Sequence, residues 1–241
     1  MFTGIATSSG NKRPTTKHYA PQQGTIGKAL GRARFVQLSD QAALEVHGGL
    51  LWGATGEGIL ASGSTARLVG VRLAQVDVAT SDGSNGIGVW SLGGKLQVIA
   101  SRIQACHGAA ISMLNGHLEV ESSAVVGTLA SKATLASGSL GPEIAYGIVA
   151  VGAKQLHISH SVVADNALAG VFLDGDDPVG AKLVSSSMVT ANAYGVALQN
   201  AALLKTEHSL ILGNTIQNRS GQLGLSVPAP PTFVLGSGPS E

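Results

Sequence analysis

The feature that most restricts this chain is a pattern that keeps returning. Around Ser161, Leu156 and Ile158 precede by five and three positions, while Val163 follows by two and Asn166 by five. The same frame fits Leu96, Val98, Ser101 and Ile103; Leu118, Val120, Ser123 and Val125; Val184, Ser187, Val189 and Asn192; and Leu204, Ser209, Ile211 and Asn214. Two worn copies come earlier, Leu44, Val46, Gly49 and Leu51, then Leu68, Val71 and Leu73. The anchors fall at 49, 71, 101, 123, 161, 187 and 209; three of the six intervals are 22 residues, and the others are 22 plus 8, 16 and 4.

A second mark runs in phase with the first. Each anchor is followed by a small residue and a β-branched one: Gly58-Ile59, Gly86-Ile87, Ala110-Ile111, Gly147-Ile148, Gly170-Val171 and Gly195-Val196. Every repeat therefore holds three short apolar pieces, each alternating with period two as a strand with one buried face does. A repeat of 22 residues has no room for three strands and a helix. The expected fold is all-β, a parallel solenoid of about seven coils whose equivalent strands stack about 4.8 Å apart. Stacking sets Ser101, Ser123, Ser161, Ser187 and Ser209 in one ladder at a tight turn. Asn166, Asn192 and Asn214 form a second ladder at the next corner, where Asn tolerates left-handed backbone angles.

Composition agrees. The chain has 44% hydrophobic residues but only 4% aromatic ones, and 33 glycines, which suits a frequently turning core of Val, Ile, Leu and Ala. The formal charge of +1 lacks the basic excess that phosphate backbones require, so nucleic acid is not an expected partner. No run reaches the 18 or so apolar residues of a membrane span. The single cysteine, Cys106, reads as a small buried filler.

The pattern I-x-x-[S/N]-x-[I/V]-x-x-N followed by G-[I/V] resembles the right-handed parallel β-helix repeats of the pectin-lyase-like superfamily. It covers roughly residues 34–227, with "RFVQLSDQAALEVHGGLLWG" as the first coil. Residues 1–33 are expected to be a flexible or N-capping segment, with 20–33 the capping part, and 228–241 a Pro/Gly-rich tail; no cap is evident at the far end. The resemblance implies a single right-handed β-helix in an extracytoplasmic setting, although the start "MFTGIATSSGNKRPTTKHYA" carries no apolar stretch of the export type. The roles it implies range from polysaccharide lyases, hydrolases and epimerases to tailspikes and adhesins, so function has to be argued from a site.

Insertions are where a site is expected, because a regular coil needs none. "VDVATSDGSN" (76–85) and "GTLASKATLASGSLGPEIAY" (127–146) leave one edge of the Gly-Ile sheet, and "DGDDPVG" (174–180) leaves the opposite edge. With the β-branched residues inward, Leu60, Gly88, Trp90, Ser112, Leu114, Val149, Val151, Phe172, Asp174, Ala197 and Gln199 face outward. That wall is mostly apolar. Trp90, Phe172 and Asp174 are its candidate ligand contacts, unless the 127–146 loop covers the rings. Asp174, Asp176 and Asp177 are the one candidate acid group for a lyase, a hydrolase or a calcium ion. No other cofactor is expected.

"HISH" invites a metal reading that geometry opposes. His157 and His160 face opposite sides of a strand, and His160 and His208 stand two coils apart, about 9.6 Å. The shortage of acids and bases on the Gly-Ile wall favours a non-catalytic binding module for a polysaccharide or protein. The alternatives are a carbohydrate-active enzyme and a structural rod that associates end to end or docks on a neighbouring domain.

Overall fold

The computed structural model describes residues 4–7, 34–39, 41–79, 86–134, 140–175, 182–200, 202–221 and 224–226. The chain winds as a parallel β-helix. One coil runs through Gly86–Leu92, Lys95–Ile99 and Arg102–Cys106, and the next through Gly108–Leu114, His117–Glu121 and Ala124–Val126. Equivalent strands form three long sheets of eight, seven and eight strands. The first sheet holds the strand before each anchor, the second the strand after it, and the third the Gly-Ile strands. Among the described residues there is no helix long and apolar enough to cross a membrane.

The anchors stack as the spacing predicts. Arg102 pairs with Arg72 and with Ala124, Val162 pairs with Ala124 and Met188, and Met188 with Leu210, which places Val71, Ser101, Ser123, Ser161, Ser187 and Ser209 in one column. Within it the amide of Ser101 donates to the Ser123 hydroxyl at 3.0 Å, Ser123 to Ser161 at 3.1 Å, Ser161 to Ser187 at 3.0 Å and Ser187 to Ser209 at 3.1 Å. Each hydroxyl in turn donates to the carbonyl two residues back, as Ser161 does to Ser159 at 2.7 Å. Buried polar groups at the corner are thus satisfied coil by coil.

Two expectations need correction. The left-handed corner residue is the one before each ladder residue: Ala100, Ser122, His160, Ser186 and His208 precede the serines, and Asp165 and Ala191 precede the asparagines, all at φ between 46° and 56°. Serine and asparagine then stay free to turn their side chains inward to the stack. The second correction is of register. Ile59 pairs with Val89, and Val89 with Ile111, so the repeated pair in that coil is Gly88-Val89 rather than Gly86-Ile87. The strand returning from the 76–85 insertion enters its sheet two residues early. Gly88 therefore faces inward, where a Cβ would come 2.5 Å from the Ala110 carbonyl oxygen and 2.9 Å from Cys106 Sγ.

Inside, Ile59, Val89, Ile111, Ile148, Val171 and Val196 form one fully buried column of the main core. Another runs Leu96, Leu118, Leu156 and then Lys182, which is only 8% exposed. Each end of the stack carries one added feature. Gly4–Thr7 pairs antiparallel with Ala43–His47 along the first edge of the first sheet. The segment 20–33 lies outside the described residues. At the far end, where the sequence offers no evident cap, Asn218 accepts from Asn214 as Asn214 does from Asn192, and Arg219 ends the Val196 column.

Candidate functional site

The outer wall of the third sheet carries the sequence candidates. Leu60, Trp90, Ser112, Val149, Phe172 and Ala197 are in register along it. The 127–146 insertion folds into a hairpin, Ser131–Thr134 with Leu140–Ile144. From it Ile144 packs into a second apolar cluster with Trp90, Tyr146, Val149 and Phe172, joined by Leu225. Tyr146 stacks on Phe172 with ring centroids 5.1 Å apart, and its hydroxyl donates to the Ser226 carbonyl at 2.8 Å. Trp90 is 3% exposed and Phe172 0%. A ring so covered meets a ligand only if its cover moves. Among the described residues the buried Trp90 Nε1 has no hydrogen-bond partner.

Of the acid group only Asp174 can be placed, since Asp176 and Asp177 lie outside the described residues. Its Oδ1 accepts from Asn200 Nδ2 at 2.6 Å. Among the described residues no three His, Cys, Asp or Glu side chains converge on a metal position.

The first sheet's outer wall balances its own charge. Arg67 and His47 hydrogen-bond Glu45 and hold its carboxyl below the usual carboxylate range. Gln97 Nε2 donates to Glu119 at 2.7 Å, and Lys95 lies 3.9 Å from the same carboxylate. His157 faces Ser185 at 3.2 Å, while His160 occupies a left-handed corner, which accounts for "HISH" without a metal.

The second sheet's outer wall is different in kind. One row across it reads Leu50, Arg72, Arg102, Ala124, Val162, Met188 and Leu210, and Trp52, Ala74, Gln104, Val126, Ala164 and Thr190 stand beside them in the next row, which Leu212 extends. Leu50 is 50% exposed, Trp52 54%, Met188 37%, Leu210 57% and Leu212 47%. Five of the eight exposed large hydrophobic residues of the described chain share this wall. Arg72 and Arg102 stand directly opposite each other across the ladder, and no ion pair joins either to a carboxylate of the described residues.

Sequence reasoning missed this wall although a signal was present. At the positions one and three after the first and last anchors, Leu50 and Trp52, and Leu210 and Leu212, flank the inward residue at two after, leaving those strands apolar on both faces.

The chain matches no family model, no curated protein and no solved structure. The parallel β-helix is therefore established by the fold, and any function rests on the walls.

Proposed function

We propose that the protein is a non-catalytic β-helix binding module and that its contact surface is the outer wall of the second sheet, which holds a protein partner. One observation carries this reading: Leu50, Trp52, Met188, Leu210 and Leu212 lie exposed on a single wall. Single exposed hydrophobes need no explanation, whereas five gathered on one wall, at its first coil and its last two, make that wall the surface best suited to a contact. A rigid stack suits the task, because side chains on consecutive coils keep a fixed spacing of about 4.8 Å and nothing need be ordered on binding. Membership in the pectin-lyase-like superfamily is part of the proposal, supported by the serine and asparagine ladders and the Gly-[I/V] columns. Glycan recognition by Trp90 and Phe172 is not included, since both rings are buried.

The test is a photo-crosslinking residue placed at Trp52 and, as a control, at His157 on the first sheet, in cells that make the protein. Protein adducts from position 52 and none from 157 are expected. Adducts equally from both positions, or none from 52, would overturn the reading.

A further inference from the structure

We infer that the partner on this wall is a second copy of the same chain, packed wall to wall with its stack reversed. The inference rests on the reading of the second sheet as the contact surface and adds the occupant and its orientation.

The argument is one of symmetry. A twofold axis lying along the strands, at the fourth of the seven coils, exchanges the first coil with the seventh. Leu50 and Trp52 then meet Leu210 and Leu212, so the most exposed apolar residues at the two ends of the wall cover one another. Arg72 faces Met188, Arg102 faces Val162, and Ala124 meets its own copy. The isologous arrangement is the commonest route to a dimer, because one self-complementary patch serves both subunits.

Charge decides the direction. Arg72 and Arg102 are adjacent on the ladder, and neither forms an ion pair with a carboxylate of the described residues. An axis along the stack over this row would set each arginine directly against its own copy. The reversed stack keeps the copies of Arg102 about 10 Å apart and those of Arg72 about 19 Å apart, at about 4.8 Å per coil. Stacking end on end is opposed where Gly4–Thr7 occupies the first edge of the first sheet and where Arg219 puts a charge at the far end of the Val196 column.

The wall measures about 29 Å along the stack and about 12 Å along the strands, below the area of a standard interface, so the association is weak and concentration-dependent. The purified chain is therefore followed by sedimentation equilibrium from about 1 to about 500 μM, the range for a small interface. A twofold rise in average mass is expected, and Trp52→Glu with Leu212→Glu should abolish it while leaving the circular dichroism unchanged. Under mild oxidation Ala124→Cys should give a disulfide-linked dimer, with buried Cys106 silent. Leu50→Cys mixed with Leu210→Cys should cross-link, and neither should do so alone. A monomer at every concentration with no Ala124→Cys dimer overturns the inference. Cross-linking of Leu50→Cys alone also overturns it, since that requires unreversed stacks. If the purified chain stays monomeric while position 52 photo-crosslinks a different protein, the wall remains a contact surface and only the second copy is excluded. Absence of any adduct at position 52 removes both.

Discussion

Arg219 holds the place in the last coil that Val196 holds in the one before, and its Nη2 donates to the Leu204 carbonyl oxygen at 2.6 Å. A column of seven β-branched residues, from Val36 to Val196, thus ends in a guanidinium at the last coil. Charges directed inward at a terminal strand are a known defence against edge-to-edge growth. Arg219→Val should remove it, and sedimentation velocity should then show species larger than a dimer; an unchanged profile would mean the terminal coil is closed by other means.

Asn192 sits 1% exposed in the middle of its ladder, and its Oδ1 accepts from both the amide and the side-chain Nδ2 of Asn166 at 3.0 and 2.9 Å. Asn192→Ala leaves both donors buried without an acceptor. Denaturant unfolding should show a loss of about 2–4 kcal/mol. Asn214→Ala, nearer solvent, should cost less.

Gly93 and Gly94 both have left-handed backbone angles, φ 69° and 72°, yet their surroundings differ. A Cβ on Gly93 approaches nothing closer than 4.0 Å, whereas one on Gly94 overlaps the Ser64 carbonyl. Gly93→Ala should cost about 1 kcal/mol from backbone strain alone. Gly94→Ala should cost upwards of about 3 kcal/mol. Equal midpoints for the two variants would contradict the described turn.

The second apolar cluster behaves as core if the burial of Phe172 is what matters there. Phe172→Ala should lower stability by about 3–5 kcal/mol. Thermal unfolding checks this, and a variant as stable as the parent would return the ring to the list of surface contacts.

Burial pushes the Cys106 thiol up to about 12 from an ordinary 9.0, and burial also raises Tyr146 above its ordinary range. Both groups are held neutral in the folded chain and ionise more readily in the unfolded one. Their contribution is therefore complete below pH 9 and is lost as pH rises toward 12, with a slope of about 1.4 kcal/mol per pH unit for each group titrating only when unfolded. Stability measured at pH 8, 9.5 and 11 should fall in that order, and Cys106→Ala should flatten the first step.

How much of this was legible depended on which forces repeat. The anchor column was readable because every coil must return to the same hydrogen-bonded register, and Ser101 through Ser209 satisfy one another in that register alone. Cover of the Gly-Ile wall was readable as one use of the long 127–146 insertion. The Gly86-Ile87 shift was not, because Gly-Ile and Gly-Val are equally good pairs and the insertion hides the strand's true start. Nor was the left-handed residue before each asparagine, since Ala191 has no intrinsic preference for that angle and is held there by the stack. Lys182 also departed from pattern, standing in a column otherwise made of leucine and alanine. The second sheet's wall escaped notice because leucine one residue outside the core position looks like the core itself.

The asparagine ladder starts only at Asn166. In the four coils before it the equivalent corner positions are Ala54, Val76, Cys106 and Thr128, all buried. From Asn166 onward each bend is tied to the next by amide side chains, whereas before it the bends rest on packing and on the serine column alone. Mechanically the rod is graded: under tension along its axis, the half nearer Ala54 should part first, and the half nearer Asn214 should hold longest.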